Sequence, residues 1–442
     1  MPKTPTRQVM EDAIAALDSV RREWLRRPGV TAVDVGFKIT GDVMTDDVAV
    51  RVHVARKIPV AELAESEVFN ETDKAPQTIA GFPVDVIEAT YGPSIGATSE
   101  PLVLDHDDED AIAAIERTTA FDPLIGGISC GNPRVTAGTI GAIVFNRTSC
   151  RPMILSNWHV LAGASAAAVG EGILQPGRVD GGTQTVATLT RMRLDSRMDA
   201  AVATLNGARS HSRDILGLGT ISGIDTATLG MLVVKSGRST GITRGVVDGV
   251  SLSTSIDYGD PGVVSFTNQI RIVPRPPWPG VDYEVSQGGD SGSVWLNEGN
   301  NRAIGLHFAG ETNPAPTSEN AICSPMAPIA AELDFSFLPV LCPMPPRPPY
   351  FNICDRYPWI CEGLFRWPRF PIPMPDPPPF DLPFDDLGPL RGLGNLGTML
   401  GLGRRQTAGG AGCSCGGHTT DDEASLAQLA ALVAAYLQQQ GR

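Results

Sequence analysis

From residue 124 to about 340 the chain is written in short apolar, β-branched runs separated by glycine, with few stretches of helical period. Residues 139–145, 153–156, 200–205, 232–234, 245–250, 269–273, 293–296 and 303–308 are such runs. Valine, isoleucine and threonine pack well on a pleated surface, and glycine lets the backbone turn sharply between strands. Closely spaced strands with turn residues between them predict a mainly β architecture, a barrel or a sandwich.

The flanks differ. Residues 8–27 carry apolar side chains at helical spacing (Val9, Ile14, Leu17, Val20, Trp24, Leu25) and end near Pro28-Gly29. They predict one amphipathic helix. Residues 30–38 and 48–55 predict two strands around the turn Thr40-Gly41-Asp42, with a third strand at 82–86. The second alternates valine and alanine with Arg51 and His53, so it reads as a half-buried strand. Residues 1–90 are thus expected to form a small α+β domain. Residues 91–121 read as an acidic linker whose charge block at 105–110 is solvated. Residues 341–420 form a tail rich in proline, then glycine. Residues 421–442 predict a terminal amphipathic helix, N-capped by Thr420 or Asp421.

The net charge is −14 and there is no Lys/Arg stripe, so the electrostatic footprint of a nucleic-acid or anionic-membrane binder is missing. No apolar run is long enough for a membrane helix. The N-terminal stretch is charged throughout, unlike a secretory signal, and the expectation is a cytoplasmic protein with reduced thiols. Cys130 with Cys150 would pair only in an oxidising compartment. Cys413, Cys415 and His418 do not have the spacing of a closed zinc site, so no metal is assigned.

Nucleophilic acyl transfer needs a hydroxyl, a base, a group that orients the base, and donors for the oxyanion. The chain has six histidines, at 53, 106, 159, 211, 307 and 418. His159 stands after the apolar run Met153-Ile154-Leu155 and before a turn of small residues, a good place to present an imidazole. Asp199 directly precedes an apolar strand, which would hold its carboxylate against a core; Asp195 is its rival. Ser291 lies between glycines in Gly288-Gly289-Asp290-Ser291-Gly292-Ser293, where the backbone can turn and aim adjacent N–H groups at one point.

The blocks Leu155-Ser156-Asn157-Trp158-His159-Val160-Leu161, Met198-Asp199-Ala200-Ala201 and Gly288-Gly289-Asp290-Ser291-Gly292-Ser293 resemble the three catalytic blocks of trypsin-like, chymotrypsin-fold peptidases, in that family's order. The resemblance implies a double β-barrel over residues 122–340. It makes His159 the general base, Asp199 its orienting partner and Ser291 the nucleophile, with the N–H groups of Gly289 and Ser291 as oxyanion hole. No cofactor is implied; the partner is a protein or peptide substrate. The blocks Lys235-Ser236-Gly237-Arg238-Ser239-Thr240-Gly241 and Gly81-Phe82-Pro83-Val84-Asp85-Val86 resemble bacterial relatives of the plant narrow-leaf peptidase, which implies an intracellular, homo-oligomeric peptidase.

The same resemblance places Ser286 at the base of the pocket for the substrate's P1 side chain, and His307, Phe308 and Gly310 along its wall. Val285 stands where enzymes with basic specificity carry aspartate, which argues against a Lys/Arg preference. Gly305-Leu306-His307-Phe308-Ala309-Gly310 resembles a segment of glutamyl endopeptidases and implies an acidic P1 through His307 and Ser286. The alternative is a latent or inactive peptidase-fold protein acting as an assembly module.

Overall fold

The structure, a computed structural model, describes residues 2–41, 43–57, 76–93, 117–275, 284–311 and 319–340. The acidic block at 105–110, the proline-rich tail, the Cys413–Cys415–His418 group and the terminal helix expected at 421–442 lie outside these residues. The described residues all fall within one compact unit, Met1–Arg347.

Helix α1 (Arg7–Trp24) begins where the Thr6 hydroxyl accepts a hydrogen bond from the Val9 N–H. It buries Ala13, Ala16, Leu17 and Trp24 in one core with Val33, Val35, Phe37 and the valines of the second strand. Strands β1 (Val30–Thr40) and β2 (Val43–Val54) pair antiparallel, and β3 (Phe82–Glu88) joins β2 in parallel. Tyr91–Pro93, at the head of the stretch read as a linker, form a strand, β4.

Two large sheets carry most of the rest, beside a three-stranded and a two-stranded one. Strands β5 (Ala142–Asn146) and β6 (Pro152–Ser156) are followed by the short helix α2 (Trp158–Leu161). Strands β7 (Gly172–Leu174), β8 (Thr185–Asp195) and β9 (Met198–Leu205) complete most of the first sheet. After them come β10 (Leu232–Gly237), β11 (Gly241–Asp257), β12 (Val263–Pro274), β13 (Val294–Asn297), β14 (Arg302–Glu311) and β15 (Ala321–Pro325). Helix α3 (Met326–Glu332) then leads to β16 (Phe335–Ser336). The first sheet is six-stranded, in the order β7-β8-β9-β6-β5-β16. The second has twelve strands and runs β10-β13-β14-β15-β12-β11-β1-β2-β3 before ending in Thr78–Ile79, while β4 adds to β14. The chain is mainly β, as its sequence predicts.

The half-buried reading of β2 changes. Arg51 and His53 are fully buried, as are the alternating valines. Arg51 donates to Asp34 at 2.5 Å and to Asp248 at 2.9 Å, and His53 Nε2 lies 3.0 Å from Asp34. The face expected to meet water meets counter-charges instead. Because β1 pairs with β11, the N-terminal strands and the strands beside residue 291 belong to one sheet.

Candidate active site

β6 ends at Ser156, and Asn157, in an extended conformation, starts α2, which carries His159. β9 lies antiparallel to β6, with Ser156 opposite Ala201, so Asp199 emerges beside the start of α2. The Asn157 amide fixes this junction by donating to the Asp199 backbone carbonyl at 2.7 Å. The Asp199 carboxylate then holds the histidine twice: Oδ1 accepts from the His159 backbone N–H at 3.2 Å and Oδ2 lies 2.5 Å from ring Nδ1. Asp199 is fully buried. Asp195, the rival candidate, pairs instead with Arg193 and Arg197 at 2.8 and 3.1 Å.

A third donor reaches Asp199 from the other sheet. Tyr258, just past β11, donates its hydroxyl to Asp199 Oδ2 at 2.7 Å, and its ring centroid lies 5.8 Å from that of His159. Burial, then the Asp199 charge, pushes this phenol well above its ordinary pKa, so it stays a donor. Sequence reasoning missed Tyr258. A tyrosine in a hairpin carries no local signal of a partner 59 residues away.

Ser291 sits in a loop with Gly289 at φ +99° and Gly292 at φ +95°. The loop docks on the short strand Gly138–Thr139: the Thr139 N–H donates to the Ser291 carbonyl at 2.8 Å and its hydroxyl to the Gly289 carbonyl at 2.8 Å. A side-chain carbon at Gly138 would meet both Val160, the neighbour of His159, and the Ser291 carbonyl, so the serine and histidine segments converge there. Ser291 is 1% exposed and His159 6% exposed. His159 Nε2 is buried and makes no hydrogen bond among the described residues.

Asp290 is fully buried beside the serine and heavily bound. Lys235 Nζ lies 3.0 Å from Oδ2, the Thr240 hydroxyl 2.6 Å from it, and Ser239 and Gln287 N–H groups donate at 2.8 and 3.0 Å. Burial works to raise this carboxyl, but the Lys235 ammonium and Thr240 hydroxyl outweigh it and hold it at about 2.

The expected pocket residues are brought together with carboxylates. Glu319 accepts from the backbone N–H groups of Val285 and Ser286 at 2.7 and 3.4 Å. Glu284, Glu311 and Glu319 have carboxylate oxygens within 4.8 Å of one another. Burial, then a hydrogen bond donated to Glu311 and like-charge repulsion, raises Glu319 to about 10, so the group shares a proton at neutral pH. His307 is fully buried, edge-on to Trp295. Burial, reinforced by Lys235, pushes it down to about 3, which leaves it neutral. Phe308 packs on Phe266 with centroids 4.7 Å apart, and Gly310 lies between Ala321 and Gly92. Cys130 is a buried free thiol, whereas Cys150 is disulfide-bonded, so the two do not pair with each other.

No family model and no curated protein matches the chain. Solved structures that it resembles are bacterial serine proteases. Thermobifida fusca protease A is 18% identical, with 48% of this chain and 97% of that one covered at a TM-score of 0.36. Nocardiopsis protease is 18% identical over 48% and 98% of the two chains, at a TM-score of 0.37. A glutamic-acid-specific serine protease, described as using a histidine triad in substrate binding, is 20% identical over 48% and 99%, at 0.37.

Proposed function

We propose that the protein is a serine endopeptidase that works through an acyl-enzyme. The observation that carries this reading is the His159–Asp199 pair, 2.5 Å apart and buried, beside a serine loop with two left-handed glycines. With Nδ1–H donated to Asp199, Nε2 is the nitrogen left to accept a proton from the Ser291 hydroxyl. Ser291 Oγ then attacks the peptide carbonyl while the N–H groups of Gly289 and Ser291 receive the developing oxyanion. The imidazolium, stabilised by Asp199, passes its proton to the leaving amine, and water repeats the cycle on the ester. Tyr258 holds the Asp199 carboxylate where it can steady that charge.

Pocket electrostatics weigh against the acidic P1 preference. His307 is neutral and inaccessible, and Glu319, clustered with Glu284 and Glu311, binds the backbone N–H groups of Val285 and Ser286, so a P1 carboxylate would meet like charge. A cationic P1 side chain would replace the shared proton, so the glutamate cluster supplies the negative charge that Val285 lacks and reverses the expectation against Lys or Arg. No helix among the described residues is long and apolar enough to cross a membrane.

Incubating wild type and Ser291→Ala with a proteome-derived peptide library tests activity and preference together. Cleavage by wild type alone, mostly after Lys or Arg and rarely after Glu or Asp, is the expected result. Equal product from the variant removes Ser291 as nucleophile, and cleavage mainly after Glu removes the pocket argument.

A further inference from the structure

β14 has two edges. β15 covers one of them, from Gly305 opposite Pro325 to Gly310 opposite Ala321. On the other, β13 reaches only as far as Val294 opposite Leu306. The nucleophile loop comes next: the Gly292 N–H donates to the His307 carbonyl at 3.0 Å and the His307 N–H to the Ser293 carbonyl at 2.9 Å. Past His307 this edge is where an extended peptide would add as a strand to lay a carbonyl beside Ser291.

β4 already lies there. Tyr91 is opposite Glu311, Gly92 opposite Gly310 and Pro93 opposite Ala309, antiparallel. Ala309 and Gly310 also pair with β15, so β4 must be on the far edge, in line with β13 and the nucleophile loop. Its direction matters as much as its place. Residue numbers rise along β4 as they fall along β14, so β4 runs towards His307, which lies two residues, about 7 Å, beyond Ala309. It is held from behind: the Tyr91 hydroxyl lies 2.6 Å from His53 Nδ1, the Ala89 N–H donates to the Val54 carbonyl at 3.0 Å, and the Thr31 hydroxyl donates to the Ala89 carbonyl at 2.7 Å. The grip on β14 itself is short, and Pro93 has no N–H to offer the ladder.

We propose that Tyr91–Pro93 is a built-in occupant of the edge on which the substrate's backbone docks, held in the substrate's chain direction, and that peptides are cleaved only as β4 is displaced. A three-residue strand contributes only a few hydrogen bonds, so a longer peptide can compete for the edge.

The proposal rests on the serine-peptidase reading, and its test separates the two. In full-length Ser291→Ala protein, binding of a fluorescein-labelled peptide with the sequence of residues 90–96 is followed by anisotropy. Adding Tyr91→Phe, which frees β4 from His53, should tighten binding at least fivefold. A disulfide between Pro93→Cys and Ala309→Cys, opposite each other in the register, should weaken it at least tenfold, and dithiothreitol should restore it. Equal binding by the oxidised and reduced tether overturns the proposal, as does equal binding with and without Tyr91→Phe in proteins of matched stability. If binding responds as expected but Tyr91→Phe with Ser291 intact cleaves no peptide, the occupant stands and the peptidase reading falls.

Discussion

Asp290 precedes the serine and has no direct part in the chemistry, yet its carboxylate receives one ammonium, one hydroxyl and three backbone N–H groups. These bonds set the path of the loop whose N–H groups are proposed to receive the oxyanion. Lys235→Met would leave a buried charge without its counter-ion, a loss of about 3–5 kcal/mol. The pH dependence follows from the direction of the shift. The folded pKa of Asp290, about 2, is below its unfolded value of about 3.9, so its contribution is complete above that value and fades as pH falls towards 2. Thermal melts from pH 7 to 2 should show a smaller acid-dependent loss in Asp290→Asn than in wild type; parallel curves would refute the assignment. His159, Asp199 and Ser291 could be singled out as candidates from the sequence because each sits in a local block of apolar and small residues. Lys235 stood in a noticed motif, but its partner is 55 residues away, and only the fold shows what the ammonium neutralises.

At the scale of elements, glycines with left-handed backbone differ in why they are glycine. A side-chain carbon at Gly292 would lie 2.1 Å from the Ser156 hydroxyl and 2.4 Å from the Thr139 carbonyl, and its φ of +95° is unfavourable for any other residue. Gly181 has φ +78° but nothing within 4 Å of such a carbon. Gly292→Ala should therefore push the loop off the first sheet and cut fluorophosphonate labelling of Ser291 by a factor of roughly 100 or more, in line with the cost of losing oxyanion donors. Gly181→Ala should cost about 1 kcal/mol of stability and leave labelling unchanged. Equal labelling of both variants would show that the loop tolerates the shift. Strand existence was readable from β-branched runs, but two features of pairing were not. Period-two alternation in β2 cannot distinguish a face turned to water from one turned to buried counter-ions, and Asp248 arrives from 197 residues away. Tyr91–Pro93 has no apolar run of its own; it is a strand because β14 offers it an edge.

For the whole molecule, the decisive question is how firmly the N-terminal strands are joined to the sheet that holds the serine loop. Asp34, Arg51, Asp248 and Arg271 form a chain of buried ion pairs across β1, β2, β11 and β12, closed by Arg271 on Asp248. Their charges balance, two of each sign, as burial requires. Surface pairs are screened by salt, but charges removed from solvent are screened much less. Breaking one partner strands the rest: Arg51→Met leaves Asp34 facing His53 alone and should cost about 3–5 kcal/mol. Since the affected strands share one sheet with β13 and β14, that loss should not stay local. Native-state hydrogen exchange is expected to give one opening free energy for the slowest amides of β1, β2, β13 and β14 in wild type, and an equal drop in all four in Arg51→Met, little changed between 0.1 and 1 M salt. If exchange in β1 and β2 falls while β14 keeps its wild-type protection, the N-terminal strands fold as a separate cooperative unit. In that case β4 could leave its edge without disturbing the serine loop. If all four fall together, β4 must leave β14 while its anchor strands stay in the sheet, and the only motion open to it is peeling from Pro93 back towards Tyr91.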